Sequence, residues 1–217
     1  MKIACFIPIK ENSERVPGKN FRILNGKKLY EYICEHVAEA EAFDDVFIDT
    51  NSEEIDVYAR KMGFQVIKRL PELASNSANG NDLLVYHYLQ HPEYDYYFQL
   101  FATAPFLQPL TIKTCVNNLL LTQEYDSCFT ATKNNGFFWM QNLPINYRPD
   151  ILPRSQDLCP IYEETTGLYG ISREALEKYR CRIGRKPLIY EISKFEAIDI
   201  NTEEDLILAQ YWSKNSK

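Results

Sequence analysis

Residues 3–9, Ile-Ala-Cys-Phe-Ile-Pro-Ile, run directly into residues 10–20, Lys-Glu-Asn-Ser-Glu-Arg-Val-Pro-Gly-Lys-Asn. The first seven form an unbroken apolar run, which reads as a strand buried on both faces. The next eleven are mostly polar, carry Pro17 and Gly18, and read as a loop. Beyond them Leu29, Tyr32, Ile33, His36, Val37 and Ala40 fall at the spacing of one helix face. Strand, polar loop and helix in that order are the repeating unit of an α/β protein.

The alternation continues. Val46–Thr50 reads as a strand, and Ile55, Ala59 and Met62 mark a helix closed by Gly63. Gln65–Lys68 is a short strand, Leu83–Leu89 a helix ended by Pro92, and Tyr96–Phe101 a buried strand. Ile112, Cys115, Val116, Leu119 and Leu120 form another helix face, followed by a strand over Ser127–Thr132. This order predicts a mostly parallel sheet with helices on both faces. Ligands of such sheets bind beyond the C-terminal ends of the strands, where the first loop leaves.

The rhythm breaks at Asn134. Residues 134–166 show no clear period, hold four prolines and carry the aromatic cluster Phe137, Phe138 and Trp139. An irregular stretch of that length in a compact domain is usually functional. It reads as an inserted β-arm that covers the site and contacts a second subunit, or as an excursion whose aromatics fold back on the core. Glu163 and Glu164 read as an acidic turn before a strand over Gly167–Ile171. A helix from Arg173, a strand over Leu188–Ser193, an ordered piece over Ala197–Ile200 and a last helix follow. Thr202 and Asp205 open that helix in capping-box fashion. Residues 1–217 are expected to form a single domain, with 134–166 as its arm.

Composition narrows the function classes. The apolar fraction of 45% supports a sizeable core. The net charge of −6 argues against general nucleic-acid binding, which needs a basic face. No apolar run reaches the roughly 18 residues of a membrane span. Met1-Lys2 leads into a strand-like run without a small-residue cleavage site, so no signal peptide is expected. The six cysteines stand singly, which gives no zinc or redox motif and suits a reducing cytoplasm. His36, His87 and His91 show no metal-ligand spacing and read as structural or surface residues. No Gly-x-Ser-x-Gly elbow occurs.

The charge is local. Residues 10–28 hold six Lys and Arg against Glu11 and Glu14. Lys10, Arg15 and Lys19, spaced by Asn12, Ser13, Gly18 and Asn20, suit a polyphosphate, because cations there join backbone N–H groups freed by Gly and small side chains. A basic pocket on an acidic protein fits a small anion better than a long polyanion. Asp199, just before the last helix, could hold Mg²⁺ with substrate phosphates completing the shell, or simply help the turn into that helix. Arg154 could clamp a carboxylate or phosphonate, or be a surface arginine.

Together these segments resemble the acylneuraminate cytidylyltransferases, the CMP-sugar-acid synthetases. Residues 7–20 look like the family's N-terminal nucleotide loop. Residues 69–78, Arg-Leu-Pro-Glu-Leu-Ala-Ser-Asn-Ser-Ala, look like its second nucleotide segment. Residues 101–107, Phe-Ala-Thr-Ala-Pro-Phe-Leu, are similar to a degraded Gln-Pro-Thr-Ser-Pro-Leu-Arg, and residues 198–206, Ile-Asp-Ile-Asn-Thr-Glu-Glu-Asp-Leu, to the C-terminal metal motif. The resemblance implies a three-layer α/β/α nucleotide-diphospho-sugar transferase fold, Rossmann-like, assembled as a homodimer through the arm. It implies CTP as donor and Mg²⁺ as cofactor, acting in the cytoplasm for surface glycan synthesis. Lys10, Ser13, Lys19 and Asn20 would hold the triphosphate, Arg69, Ala78 and Gly80 would line cytosine and ribose, and Asp199 and Asn201 would take the metal. Lys10, Lys19 and Asp199 would carry catalysis by positioning and charge neutralisation while an acceptor hydroxyl attacks the α-phosphorus.

The departures concern mainly the acceptor. Lys10 stands where an arginine is usual, Asn201 where an aspartate is, and Phe101 and Leu107 replace the Gln and Arg of the third motif. The family's sugar-contacting arginine is missing, and Glu163 and Glu164 occupy that neighbourhood. Two glutamates repel a carboxylate and attract an amine. The expected acceptor site is therefore Arg154, Glu163, Glu164 and Thr103, reading a small nonulosonic-acid-like sugar acid. An aminoalkylphosphonate acceptor and a catalytically silent nucleotide-binding homologue are the alternatives, along with a dimeric interaction module.

Overall fold

Ile3–Ile9 occupies an interior strand of one seven-stranded sheet, and its side chains explain why. A computed structural model describes residues 1–13, 15–74, 78–122 and 124–215; Glu14 and positions 75–77 of the second resembling segment lie outside them. The strands are β1 (Ile3–Ile9), β2 (Ile23–Leu24), β3 (Lys27–Lys28), β4 (Asp45–Thr50), β5 (Gln65–Lys68), β6 (Tyr96–Leu100), β7 (Ser127–Asn134), β8 (Trp139–Met140), β9 (Leu143–Pro144), β10 (Ile161–Ser172) and β11 (Pro187–Glu191). The helices are α1 (Leu29–Ala40), α2 (Glu53–Lys61), α3 (Pro71–Ala74), α4 (Gly80–Gln90), α5 (Pro109–Leu121), α6 (Arg173–Tyr179) and α7 (Glu203–Asn215).

The sheet order is β11-β7-β10-β6-β1-β4-β5. β1 pairs in parallel with β4 and β6, β4 with β5, and β7 with β11, while β10 runs antiparallel between β6 and β7. Cys5, Ile7 and Ile9 point to the face covered by α1, α2 and α5, through Ile33, Ile55 and Ile112 among others. Ala4 and Phe6 point to the opposite face, against Leu84 of α4 and Leu176 of α6. Both faces of β1 are thus dry, which is why its sequence shows no alternation. The result is a mostly parallel α/β/α sandwich, as the sequence predicts. Among the described residues, no helix is long and apolar enough to cross a membrane.

Three segments differ from expectation. β10 begins at Ile161, so Glu163 and Glu164 lie on a strand, opposite Thr132 and Ala131 of β7, and not in a turn. Their strand was hidden because this end of β10 leaves the core and its side chains are exposed. The register shifts between Glu164 and Tyr169, a bulge that re-aims the polar residues between them. The ordered piece over 197–200 carries no helix or strand: it follows a turn over residues 194–197, with Ala197 N donating to Ser193 O at 3.1 Å and Ile200 N to Thr103 O at 2.8 Å. The arm is partly regular: β8 and β9 make a two-residue hairpin in which Gln141 and Asn142 are both left-handed, φ 49° and 66°. That is the geometry of a type I′ turn, whose twist matches the flanking strands. Phe137 and Trp139 pack edge-on against Tyr147, at centroid distances of 4.8 and 6.2 Å.

Candidate active site

The loop after β1 is tied down on both sides. Asn20 Nδ2 donates to the Lys10 carbonyl at 2.8 Å, and Glu11 N donates to Asn51 Oδ1 at 2.9 Å. Gly18, left-handed with φ 60°, opens a 3₁₀ turn over Lys19–Phe21. The turn carries Lys19 inward, where it is only 8% exposed and its Nζ donates to the Ile200 carbonyl at 2.9 Å. Arg15 Nη2 donates to Asn201 Oδ1 at 2.8 Å. The cationic loop is therefore bonded to the segment that enters α7. Asp205 closes that segment: its Oδ2 accepts from Asn201 N at 2.9 Å and Thr202 N at 2.8 Å, while Asp205 N donates to Thr202 Oγ1 at 3.2 Å. This is the capping box expected from Thr202 and Asp205.

The opposite wall is the start of α4. Asn79 caps it, its Oδ1 accepting from Asn81 N at 2.8 Å and Asp82 N at 3.3 Å. Arg182 closes over Gly80, where a Cβ would lie 2.6 Å from Arg182 Nη1 and 3.2 Å from Gln99 Oε1, so a side chain there would displace the guanidinium. Arg182 lies flat over the Tyr169 ring, 3.7 Å from its centroid, and its Nη2 donates to Glu164 Oε1 at 3.3 Å. Tyr169 OH donates to the same Glu164 oxygen.

Between these walls is a cleft of about 620 Å³. It brings together Lys10, Ser13, Lys19, Asn20, Arg69, Ala78, Gly80, Thr103, Asp199 and Asn201, all singled out by the sequence. Among the described residues the lining holds five cationic side chains, Lys10, Arg15, Lys19, Arg69 and Arg182, and one carboxylate, Asp199. Walls of one sign in a partly dry cleft concentrate an anionic ligand. Burial pushes the Lys19 ammonium below the ordinary lysine range, with Asp199 pulling the other way. Burial alone would raise the Asp205 carboxyl, but the N–H groups of Asn201 and Thr202 and the Thr202 hydroxyl outweigh it and hold it below the usual range.

A second cavity of about 330 Å³ adjoins the first and shares Thr166 and Asp199 with it. Glu163, Glu164, Asn134, Thr132 and Lys194 line it. Glu163 Oε2 accepts from Asn134 Nδ2 at 3.1 Å. Arg154 reaches neither cavity: its guanidinium is 75% exposed and pairs with Asp157 at 2.7 Å. Arg154 precedes the 3₁₀ turn over Ser155–Asp157, and its ion pair with Asp157 of that turn holds its side chain on the arm. Arg182, Lys194 and Thr166 are the site residues that sequence reasoning missed. None belongs to a spaced motif, and Arg182 and Lys194 come from loops after α6 and β11.

Asp199 is the pivot between the cavities. Its Oδ2 accepts from Thr166 Oγ1 at 2.5 Å and from Asn201 Nδ2, whereas its Oδ1 is buried without a hydrogen-bond partner. An orphaned carboxylate oxygen beside a polyphosphate-sized cationic cleft fits a hard cation that takes one protein carboxylate and completes its shell with phosphates and water. Asn201 is less available, since its Oδ1 already accepts from Arg15. No larger group of His, Cys, Asp and Glu suited to a metal occurs among the described residues.

Comparison with known proteins agrees with this arrangement. N-acylneuraminate cytidylyltransferase A of Danio rerio is 28% identical over 216 residues, which cover 96% of this chain and 50% of that protein. The chain thus spans about half the length of the N-acylneuraminate enzymes it matches. Pseudaminic acid cytidylyltransferase of Campylobacter jejuni subsp. jejuni serotype O:2 is 29% identical over 225 residues, 97% of this chain and 95% of that one. Among solved structures, CMP:2-keto-3-deoxy-manno-octonic acid synthetase complexed with CTP superposes with a TM-score of 0.74 at 16% identity, covering 100% of both chains. That likeness shows that the two chains share one fold. A family profile described as cytidylyltransferase matches residues 4–214, and over that span the chain belongs to the cytidylyltransferase family.

Proposed function

We propose that this chain transfers CMP from CTP to a sugar acid and releases pyrophosphate. The observation that carries the reading is the meeting of the two cavities at Thr166 and Asp199. One cavity is cationic and sized for a nucleoside triphosphate; the other is polar and sized for a monosaccharide. An acceptor hydroxyl entering from the second cavity reaches the α-phosphorus at the junction. The new P–O bond forms as the bond to the bridging oxygen breaks, and the electron pair leaves with pyrophosphate. Among the described residues no histidine lines either cavity, and the hydroxyl proton goes to the acceptor's own carboxylate or to water.

Lys10, Arg15 and Lys19 bind the triphosphate and neutralise charge that grows on the leaving group. Lys19 is fixed by the Ile200 carbonyl, so its ammonium is positioned before the substrate arrives. Mg²⁺, when bound, would be held by Asp199 with Asn201 beside it and would supply further charge neutralisation. In the second cavity Lys194 is the cation for the sugar-acid carboxylate, the role first expected of Arg154. Glu164 is already engaged by Arg182 and Tyr169, which leaves Glu163 as the acid facing an amino-bearing substituent. The relatives named for N-acylneuraminate and pseudaminic acid favour a sugar acid over an aminoalkylphosphonate.

The arm supports a homodimer. Trp139, Met140, Leu143 and Ile145 on and after its hairpin are 50–68% exposed, a cluster of large apolar side chains that a second copy would cover. A CTP-dependent reaction and buried, singly spaced thiols such as Cys5 and Cys128 suit the cytoplasm.

The test is pyrophosphate release with CTP and Mg²⁺ across N-acetylneuraminate, pseudaminate, 3-deoxy-manno-octulosonate and aminoethylphosphonate. Release with a sugar acid is expected. Release with the phosphonate alone would replace the proposed acceptor class, and CTP binding with no release would make the chain a nucleotide-binding homologue without transfer.

A further inference from the structure

Behind the wall of the cleft, three residues from three elements form a closed polar set. Asp49 lies on β4, Arg69 just after β5, and His87 on α4; Asp49 and His87 are fully buried and Arg69 is 7% exposed. Arg69 Nε donates to Asp49 Oδ1 at 3.0 Å, and its Nη2 donates to both Asp49 Oδ2 and the Asp49 carbonyl at 3.0 Å. His87 Nε2 lies 2.9 Å from the same Oδ2, and its ring stacks on Phe6 with centroids 4.6 Å apart and planes 9° apart.

The protonation states follow from the partners. A carboxylate oxygen only accepts, so Nε2 of His87 carries the proton. His87 Nδ1 is buried with no partner, which suits a lone pair and penalises a second N–H. The imidazole is therefore neutral, and burial holds it so by pushing His87 below the ordinary histidine range despite the pull of Asp49. Asp49 and Arg69 then cancel, and the set carries no net charge.

Among the cations lining the cleft, Arg69 is paired with a fully buried carboxylate. Nε and Nη2 are spent on Asp49, which leaves Nη1 as the guanidinium nitrogen free of that contact. We infer that Asp49 and His87 are positioning residues that turn Arg69 into a fixed, charge-compensated donor for the uncharged part of the nucleotide, its base and ribose, while Lys10, Arg15 and Lys19 take the phosphates. The inference rests on the nucleotide reading above and on the place at cytosine and ribose that the family resemblance implies for Arg69; what it adds is the pair behind Arg69, Asp49 and His87. A buried ion pair is a poor source of stability compared with apolar packing of the same volume, so stability alone does not account for its place at a ligand wall. His87 completes the device: by occupying the second oxygen of Asp49 it stops the carboxylate from rotating and carrying Arg69 with it.

The experiment is calorimetric titration of the full chain with CTP and, separately, with inorganic tripolyphosphate, alongside melting temperatures. His87→Leu should weaken CTP about tenfold, the effect of one lost hydrogen bond to a charged group, and leave tripolyphosphate within about twofold. His87→Gln, whose amide N–H reaches nearly the same place, should restore most of the CTP affinity. Should His87→Leu not fold, Arg69→Lys serves, because it keeps the charge and loses the fork; the same split is expected. Equal loss of both ligands, or no loss of either in a folded variant, overturns the inference and leaves the transferase reading intact. A wild-type chain that binds no CTP overturns both.

Discussion

Thr166 donates to Asp199 Oδ2 at 2.5 Å, and the other oxygen of Asp199 is buried and unpartnered. The hydroxyl and the Asn201 amide hold one oxygen of a carboxylate that lines both cavities. An isolated carboxylate oxygen costs free energy in the folded protein unless something positive reaches it. The cost is tolerable where a ligand or cation completes the contact during function.

Asp199→Asn keeps the shape and removes the charge. Turnover should fall by about 10²–10³, the loss seen when one transition-state electrostatic contact is removed. Without Mg²⁺ the same variant should bind CTP more tightly than wild type, because a negative charge that faces the cations of the lining is gone. Pyrophosphate release and metal-free CTP titration check the two halves. Weaker metal-free binding would show that Asp199 orders the nucleotide site itself.

Lys19 makes the reaction sensitive to alkali. Burial lowers its ammonium below the ordinary lysine range, so the charge that attracts phosphate is lost as pH rises through that lowered value. The profile of kcat/KM for CTP should therefore decline on its alkaline side earlier than a normal lysine would dictate. Lys19→Arg, with a guanidinium charged at every accessible pH, should move the decline upward even if it lowers the maximum. An unmoved alkaline limb would assign it to another group.

Much of this site is legible in the sequence, and the rest is hidden for a physical reason. Lys10, Ser13, Lys19 and Asn20 share one loop after one strand, so their proximity follows from local chain geometry. Asp199 is readable because Thr202 and Asp205 mark the helix that follows it. Arg182 and Lys194 reach the site only through packing: Arg182 is placed by Tyr169, Glu164 and Asn81, partners scattered across the chain. Asp49 and His87 were unreadable for the opposite reason. A buried Asp within an apolar strand and a His within a helix each look ordinary, and only the fold brings them to Arg69. The start of β10 is not legible because Tyr162, Glu163 and Glu164 are all exposed, so this end shows neither an apolar run nor an alternation.

Gly170 of β10 sits directly opposite Phe98 of β6. A Cβ there would lie 2.7 Å from Phe98 Cδ1 and closer still to Cε1. Phe98 is fully buried and packs on Phe43, so its ring has no space to retreat into. Gly170→Ala should destabilise the fold by about 1–3 kcal/mol, the range for overpacking a core. Urea midpoints with an unchanged slope would measure it. Phe98→Leu in the same chain should recover part of the loss, because the smaller side chain vacates the volume the new methyl needs. Additive losses in the double variant would place the strain elsewhere.

The hairpin of the arm exposes apolar surface with no role in either cavity. Trp139 and Met140 of β8 are 56% and 63% exposed, and Leu143 of β9 is 68% exposed. Gln141 and Asn142 hold the turn in the left-handed conformation that two-residue hairpins require, so these side chains are displayed on a defined scaffold. If a second copy covers them, a charge placed in the patch must be desolvated on association, at a cost far above that of the lost contact. On the homodimer proposal wild type should sediment as a dimer at micromolar concentration, and the double variant Trp139→Asp, Met140→Asp as a monomer. Its melting temperature should change little, since the hairpin packs on Tyr147 and not on the sheet core. A wild-type monomer would remove the homodimer from the proposal, and a dimer that survives the double variant would move the interface off the arm.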